Sequence, residues 1–254
     1  MIEISGVNKW FATKDGTVTA LENIDLEVGK GDFVSVVGPS GCGKSTLMMC
    51  VAGLMPPSAG RIAIDNRPVA GPVTDVGIVF QDALLLDWRN VLDNVLFQIE
   101  MRDLSKADYI DRARALLKQV GLSGFENKHP WELSGGMRQR VALCRALVHD
   151  PPLLLMDEPF GALDTLTRDQ MNIDLLHLCE GSNKTVLFIT HSISEAIFLS
   201  DRVIVMSQRP GRVVEDIRIS FDQERKLDVR STPRFGEYEK RIYDTFRNLG
   251  VLSG

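Results

Sequence analysis

The chain has 254 residues, 25% of them charged and 44% hydrophobic, with a net charge of −5 at pH 7. That balance suits a globular protein with a sizeable core; it excludes a disordered or collagen-like chain and gives no support to non-specific nucleic-acid binding. Cys42, Cys50, Cys144 and Cys179 form no close pair, so neither a zinc site nor a disulfide framework is expected, in keeping with a reducing compartment.

Met1-Ile2-Glu3-Ile4 lacks the basic-then-apolar layout of a signal peptide. No apolar run approaches the length needed to span a bilayer, so any membrane role is expected to come through a partner. The first thirty or so residues read as short strands. Ile2-Glu3-Ile4 is one, and Thr17 to Val28, where Leu21, Ile24, Leu26 and Val28 partly alternate with polar residues, is another. Asp15-Gly16 is a hairpin signal. Trp10 and Phe11 fall between the two runs. Such a ring either stacks on a nucleobase or packs into a small sheet, and position alone leaves both open.

Phe33-Val34-Ser35-Val36-Val37 fits a buried parallel strand, and Gly38-Pro39-Ser40-Gly41-Cys42-Gly43-Lys44-Ser45-Thr46 follows it. That segment reads G-x-x-x-x-G-K-S, the phosphate-binding P-loop pattern. Its glycines permit backbone angles that let successive N–H groups turn inward around a polyphosphate. Leu47, Met48, Val51 and Leu54 then recur at helical spacing, so the loop opens a helix whose dipole favours anions. Lys44 is placed to reach the β- and γ-phosphates and Ser45 to ligate Mg²⁺. The strand, lysine, serine and helix together set this apart from a chance glycine-rich turn: the sequence implies a nucleoside triphosphate site. Cys42 reads as a small filler.

Pro56-Pro57-Ser58-Ala59-Gly60 is expected to end that helix. Arg61 to Ile64 alternates like a strand, and Gly77-Ile78-Val79-Phe80 is a short buried one with Gln81 at its end. Gln81 is placed either to touch a ligand or to serve a simple turn. From about 88 to 150 the pattern is helical. Ser105 with Asp108 resembles a capping box, and Ile110, Ala113, Leu117 and Val120 trace a stripe that stops at Gly121. In Leu133-Ser134-Gly135-Gly136-Met137-Arg138-Gln139-Arg140, a serine and two glycines open the helical run Val141 to Val148. This is a second anion-binding helix N-terminus, with an ordinary serine cap as the plain alternative.

Leu153-Leu154-Leu155-Met156-Asp157-Glu158-Pro159 is an apolar strand ending in two acids. In P-loop ATPases an aspartate at such a tip holds Mg²⁺, and Glu158, one residue on, is placed to polarise an attacking water. Gly161-Ala162-Leu163-Asp164 is a tight turn into another helix. Thr185 to Thr190 is a buried strand that delivers His191 to its C-terminal end, and Val203 to Met206 and Arg212 to Ile219 close the sheet. Thr232-Pro233 starts a helix whose apolar face carries Phe235, Tyr238, Ile242, Phe246 and Leu249 and which Gly250 stops. That face is expected to pack on this domain.

From about residue 2 to 220 this set resembles the nucleotide-binding subunit of ABC transporters, Leu133 to Gln139 being similar to the signature motif of those ATPases. The resemblance implies an α/β fold: a P-loop NTPase (RecA-like) core with a small antiparallel β-subdomain and a helical subdomain inserted at about 88–150. Residues 1–220 would form the ATPase domain and 221–254 a short helical extension. Carried over by position, Gly38 to Thr46 resembles Walker A and Leu153 to Asp157 Walker B. Glu158 matches the catalytic glutamate, Gln81 the Q-loop glutamine that senses Mg²⁺ and the γ-phosphate, His191 the switch histidine and Asp164 the D-loop aspartate. Phe11, with Trp10 as rival, corresponds to the adenine-stacking aromatic, where the family usually has tyrosine or tryptophan.

The mechanism so implied is a head-to-tail homodimer with two ATPs at its seam. Each ATP would sit on one chain's Gly38, Pro39, Ser40, Gly41, Cys42, Gly43, Lys44, Ser45 and Thr46, capped by the signature residues Ser134, Gly135 and Gly136 of the other. Lys44, Gln81, Glu158 and His191 would serve catalysis, and Ser45, Gln81 and Asp157 would hold Mg²⁺. In the family, Asp82 to Asn94 lines the groove that receives the membrane subunit's coupling helix, so two transmembrane permease subunits are implied as partners of the homodimer. Leu84, Leu85, Leu86 and Trp88 would supply apolar contact with Arg89 at the rim, unless they pack the helical subdomain. The chain looks most like the nitrate, sulfonate, taurine and bicarbonate importers, although Leu86-Asp87-Trp88 stands where members often carry Leu-Pro-Trp. The group implies a small anionic solute, a periplasmic or lipid-anchored solute-binding protein as indirect partner, no nucleic acid, and a peripheral place on the cytoplasmic face of the bacterial inner membrane. The alternative is a soluble ABC ATPase outside transport; such members carry two cassettes or long coiled coils, and neither shows here.

Overall fold

In the computed structural model, which describes residues 1–14, 16–179, 182–223 and 225–251, two long antiparallel strands come first: β1 (Ile2–Thr13) and β2 (Gly16–Val28). Ile2, Ile4 and Val7 on β1 and Ile24, Leu26 and Val28 on β2 are buried, as period-two alternation requires. Trp10 and Phe11 lie inside β1, opposite Thr19 and Val18, and not between the strands. Register shifts between Ile4 and Trp10 break the alternation, which hides the second half of the strand from a pattern reading. Asp15, half of the expected hairpin signal, lies outside the described residues.

β3 (Phe33–Val37) is buried at every position and leads through the P-loop into α1 (Lys44–Val51). The helix ends earlier than the prolines suggest. Gly53, at φ +69°, turns the chain out of the helix, so Leu54 lies beyond it and is exposed. A side chain at Gly53 would stand 1.9 Å from the Gly71 carbonyl oxygen, so only glycine fits. β4 (Ala59–Ile64) pairs with β1 and β5 (Arg67–Pro68) with β4, which makes an antiparallel sheet of order β2-β1-β4-β5.

Next come β6 (Val76–Val79), α2 (Val91–Glu100), α3 (Lys106–Gln119), a 3₁₀ turn at Pro130–Glu132, α4 (Gly135–Leu147), β7 (Leu153–Asp157) and α5 (Thr165–Cys179). β6 and β7 are parallel, from Val76 opposite Leu153 to Val79 opposite Met156. Gly77 lets α4 approach β6, since a Cβ there would stand 2.5 Å from the Ala146 carbonyl oxygen. The Asn90 side chain caps α2 by accepting from Asp93 N (2.7 Å). Ser105 occupies the cap position of α3, but the expected capping box does not form. The Ser105 side chain makes no cap bond, and its carbonyl accepts from the Asp108 amide instead (3.2 Å). Ala113, Leu116, Leu117 and Val120 are buried along α3.

The chain closes with β8 (Thr185–Ile189), α6 (Ile193–Leu199), β9 (Arg202–Met206), β10 (Val213–Arg218) and α7 (Pro233–Asn248). β3 lies between β8 and β9, parallel to both, and β10 runs antiparallel to β9. Thr232 caps α7 by accepting from Phe235 N (3.3 Å), and Phe235, Tyr238, Ile242 and Phe246 pack toward α6 and the 3₁₀ turn at Leu227–Ser231. At about 1.5–3 kcal/mol for each large apolar side chain fully buried, that face gives α7 a firm seat. Gly250, at φ +67°, follows the helix end. Two compact units result: Met1–Thr74 with Lys184–Gly254, and Asp75–Asn183. All four cysteines are unbridged. Among the described residues no helix is long and apolar enough to cross a membrane.

Candidate functional site

In the first unit the P-loop leaves the end of β3, and Gly41 (φ +72°) and Gly43 (φ +108°) hold it in left-handed backbone. The loop lies directly on β2: a Cβ at Gly43 would stand 2.8 Å from both the Ala20 carbonyl oxygen and Leu21 Cδ2. Gly43 is also the N-cap of α1 and offers no capping side chain, so the first-turn amides and the helix dipole favour an anion at this end. Gly38 is buried, Pro39 and Thr46 are half-buried, and Ser40 and Ser45 are exposed. Lys44 is buried, and its Nζ donates to the Gly38 (2.9 Å) and Pro39 (3.1 Å) carbonyls. A triphosphate entering the loop would offer that ammonium stronger, charged acceptors. Cys42 is a packing residue, as the sequence suggests. It is buried, and burial pushes its thiol up in pKa against the opposing pull of Lys44.

His191 belongs to the same unit and to the same strand edge. β8 lies beside β3 with Ile189 opposite Val36, so parallel neighbours release the P-loop and the His191 turn at one end. The turn is fixed on both sides of the exposed histidine. Thr190 Oγ1 donates to Glu195 Oε2 (2.5 Å) and accepts from Ser192 N (3.0 Å), while Ser192 Oγ caps α6 through Glu195 N (3.3 Å). Trp10 is 45% and Phe11 37% exposed, so both residues keep surface open to solvent. Lys9 Nζ lies 5.3 Å from the Phe11 ring centroid and donates to the Pro56 carbonyl (2.8 Å). Adjacent strand residues face opposite ways, so only one of the two rings can meet a given ligand.

In the second unit Gln81 sits exposed just past β6, and α4 organises its surroundings. Gln139 Nε2 donates to the Phe80 carbonyl (3.0 Å), and Arg145 donates to the Ala83 and Leu84 carbonyls (2.7 Å each). The following loop is built around Asn94. Its buried amide accepts from Leu86 N (2.8 Å) and donates to the Leu86, Arg89 and Asn90 carbonyls (3.0 Å each). Leu84 and Trp88 project outward, Trp88 76% exposed, whereas Leu85 and Leu86 are half-buried. Arg89, expected at the rim of a contact surface, turns inward. It forms a two-pronged pair with Glu100 (2.7 and 3.0 Å) and lies 5.1 Å from the Phe97 ring centroid. Arg89, then Lys106, hold the Glu100 carboxyl down at about 2.

Ser134 and Gly135 are exposed at the start of α4, and Ser134 Oγ accepts from Met137 N (3.3 Å). The serine is thus a cap at an accessible helix N-terminus. Gly136 allows close approach of α5, since a Cβ would stand 2.7 Å from Thr167 Cγ2. Asp157 ends β7 half-buried, and Glu158 follows at φ +46°, a backbone cost of roughly 1–3 kcal/mol for a non-glycine residue that marks a sharp turn at the strand tip. Asp164 Oδ1 accepts from Thr167 N (3.1 Å), and Thr167 holds its carboxyl below the usual range. Arg168 braces the turn by donating to the Phe160 (3.2 Å), Gly161 (3.3 Å) and Leu163 (2.9 Å) carbonyls.

Sequence reasoning missed Arg145, Arg168 and Arg209, and it placed Gln139 in the signature-like segment without its bond to the Phe80 carbonyl. Arg209 donates to the Gly41 carbonyl from both Nε (3.1 Å) and Nη2 (2.9 Å). The only sequence signal was a charged residue in a Pro-Gly turn between two strands, which any connection shows.

The family described as ABC transporter matches residues 21–161. The chain is 47% identical over 232 residues to the taurine import ATP-binding protein TauB of Burkholderia pseudomallei, covering 89% of each protein. It is 45% identical over 247 residues to an ABC transporter ATP-binding protein of Methanocaldococcus jannaschii, covering 97% of this chain and 91% of that one. Among solved structures it is similar to a dimeric ATP-binding cassette in a post-hydrolysis state bound to ADP and Pi. The TM-score is 0.77 at 33% identity, over 87% of this chain and all of that one. A dimeric bacterial ABC transporter cassette matches with a TM-score of 0.78 at 34% identity, over the same shares.

Proposed function

The chain belongs to the ABC transporter family and is its ATP-binding subunit, an ATPase coupled to transport, and from that premise we propose a working homodimer that closes around two ATPs. It drives a bacterial importer for a small anionic solute of the nitrate, sulfonate, taurine or bicarbonate kind. One observation carries the reading: a single chain presents two glycine-opened helix N-termini, α1 behind the P-loop and α4 behind Ser134. Similarity to cassettes solved as dimers and to a taurine import subunit supports it.

Residues Gly38 to Thr46 cradle the phosphates through backbone N–H groups, and Lys44 moves from its own loop carbonyls to the β- and γ-phosphates. Ser45, Gln81 and Asp157 offer a hydroxyl, an amide oxygen and a carboxylate, hard oxygen donors of the kind Mg²⁺ takes. When bound, the ion neutralises phosphate charge. Glu158 polarises the attacking water, and His191 and Gln81 respond to the γ-phosphate. Phe11 stacks on the adenine. Ser134, Gly135 and Gly136 of one protomer cap the ATP held by the other, and Asp164 serves the same seam. Each monomer therefore holds half of the charge-stabilising site, and loss of the γ-phosphate loosens the pair.

Residues 1–220 act as the ATPase domain, with its helical subdomain at about 88–150, and 221–254 as an appended helical segment. Asp82 to Asn94 of each protomer receives one of two permease subunits, with the exposed Trp88 and Leu84 as apolar contacts. The subunit thus works on the cytoplasmic face of the inner membrane, and a periplasmic or lipid-anchored binding protein selects the solute. The test is co-purification with a permease and transport by the Trp88→Glu assembly. The variant is expected to lose transport while the isolated subunit keeps its ATPase activity. Failure to associate with any permease, or unimpaired transport in Trp88→Glu, would refute the contact.

A further inference from the structure

The segment between β9 and β10, Ser207-Gln208-Arg209-Pro210-Gly211-Arg212, lies against the P-loop. β9 is the parallel neighbour of β3, with Val205 opposite Val37, so both strands deliver their following loops to one edge. The approach is backbone to backbone. A Cβ at Gly38 would stand 3.1 Å from both Met206 Cβ and the Met206 carbonyl oxygen, and a Cβ at Gly211 would stand 2.1 Å from the Cys42 carbonyl oxygen. The segment is also stitched to β2. Gly211 N donates to the Ala20 carbonyl (2.9 Å), and the Gly211 carbonyl accepts from Glu22 N (3.0 Å). Ser207 Oγ stiffens the turn by donating to the Pro210 carbonyl (3.0 Å) and accepting from Arg212 N (2.9 Å). Arg212 pairs with Glu22 (2.8 Å).

We propose that this segment is a strap that sets the shape of the P-loop, with Arg209 as the positioning residue that tunes its affinity for nucleoside polyphosphates. The inference rests on the reading of Gly38 to Thr46 as the ATP site. Arg209 makes two hydrogen bonds to the carbonyl of Gly41, the glycine at φ +72°. Glycine is the residue whose flanking peptides reorient most freely, and a charged two-pronged grip holds this one in a single orientation. The peptide plane from Gly41 to Cys42 is thereby fixed before the phosphates arrive, so less ordering remains to be done on binding. The guanidinium also adds a positive pole beside the loop.

The experiment titrates a fluorescent ATP analogue, with Mg²⁺, into the full chain as wild type, Arg209→Ala, Arg209→Lys, Gly211→Ala and Lys44→Ala, with ATPase kinetics alongside. Arg209→Ala should bind about tenfold more weakly, or about 1.4 kcal/mol. Its KM for ATP should rise by a similar factor while kcat at saturation stays within about twofold. Arg209→Lys keeps the charge and one donor and should recover about half of that loss on a logarithmic scale. Gly211→Ala must displace the Cys42 carbonyl and should bind at least as weakly as Arg209→Ala, with its unfolding midpoint measured in parallel. Binding by Arg209→Ala within about twofold of wild type, or a fall in kcat with KM unchanged, would overturn the proposal. If instead wild type and Lys44→Ala bind alike, the ATP-site reading itself fails.

Discussion

Alanine at Gly43 meets the P-loop where it is most constrained. The residue sits at φ +108°, where a side chain costs roughly 1–3 kcal/mol in backbone strain. Its new methyl group would stand 2.8 Å from the Ala20 carbonyl oxygen, which is itself held by the Gly211 amide, and 2.8 Å from the fully buried Leu21. Forcing an extra methyl into a close-packed place typically costs about 1–3 kcal/mol more. With the loop held still the two costs sum to about 2–6 kcal/mol, so the chain relieves part of them by lifting the loop off β2. Gly43→Ala should therefore lose about 2 kcal/mol in urea unfolding and bind MgATP at least tenfold more weakly, because the displaced amides belong to the phosphate cradle. Gly236→Ala is the control. That glycine lies inside α7 without positive φ and with nothing within 4 Å of a Cβ, so alanine should stabilise by about 0.5–1 kcal/mol and leave nucleotide binding alone. If Gly43→Ala matches wild type in both assays, the loop is not pressed on β2 as described.

Glu158→Gln should keep ATP binding, lose turnover by roughly 10²–10⁴-fold, and accumulate as an ATP-bound dimer in sedimentation; normal turnover would remove Glu158 from its assigned role. Ser134→Arg should bind ATP yet abolish hydrolysis, because a bulky cation would stand at the exposed start of α4; wild-type activity would argue against a shared site. Glu100, drawn from 4.5 to about 2 by Arg89 and Lys106, has a depressed folded pKa. Its contribution is therefore complete above about 4.5 and is lost as pH falls toward 2. Over that window the urea midpoint of Glu100→Gln should fall less steeply than that of wild type; equal slopes would show that the pair does nothing for stability.

The P-loop was legible because its chemistry is local: the glycines, Lys44 and Ser45 adjoin in sequence, and the flanking strand and helix carry their own periods. The strand-tip acids and the Ser134 cap were readable for the same reason, as was α7, where Thr232, Pro233 and Gly250 mark both ends of an apolar stripe. What could not be read was made by long-range contact or by broken periodicity. Irregular register hid Trp10 and Phe11 within β1, and Gly53 ended α1 ahead of the prolines. Arg145 reaches carbonyls 61 and 62 residues away, and Arg209 grips one 168 residues away. A side chain that bonds to distant backbone leaves no spacing to detect, because its partner is any carbonyl the fold happens to bring near.

Turnover per chain, followed as the protein is diluted at saturating MgATP, tests the proposed two-chain site most directly. Activity per molecule should fall steeply once the dimer dissociates, and an excess of the hydrolysis-dead Ser134→Arg chain, whose own P-loop is intact, should change the rate per wild-type chain. A rate per molecule that stays flat from concentrated solution down to a strictly monomeric preparation would contradict it.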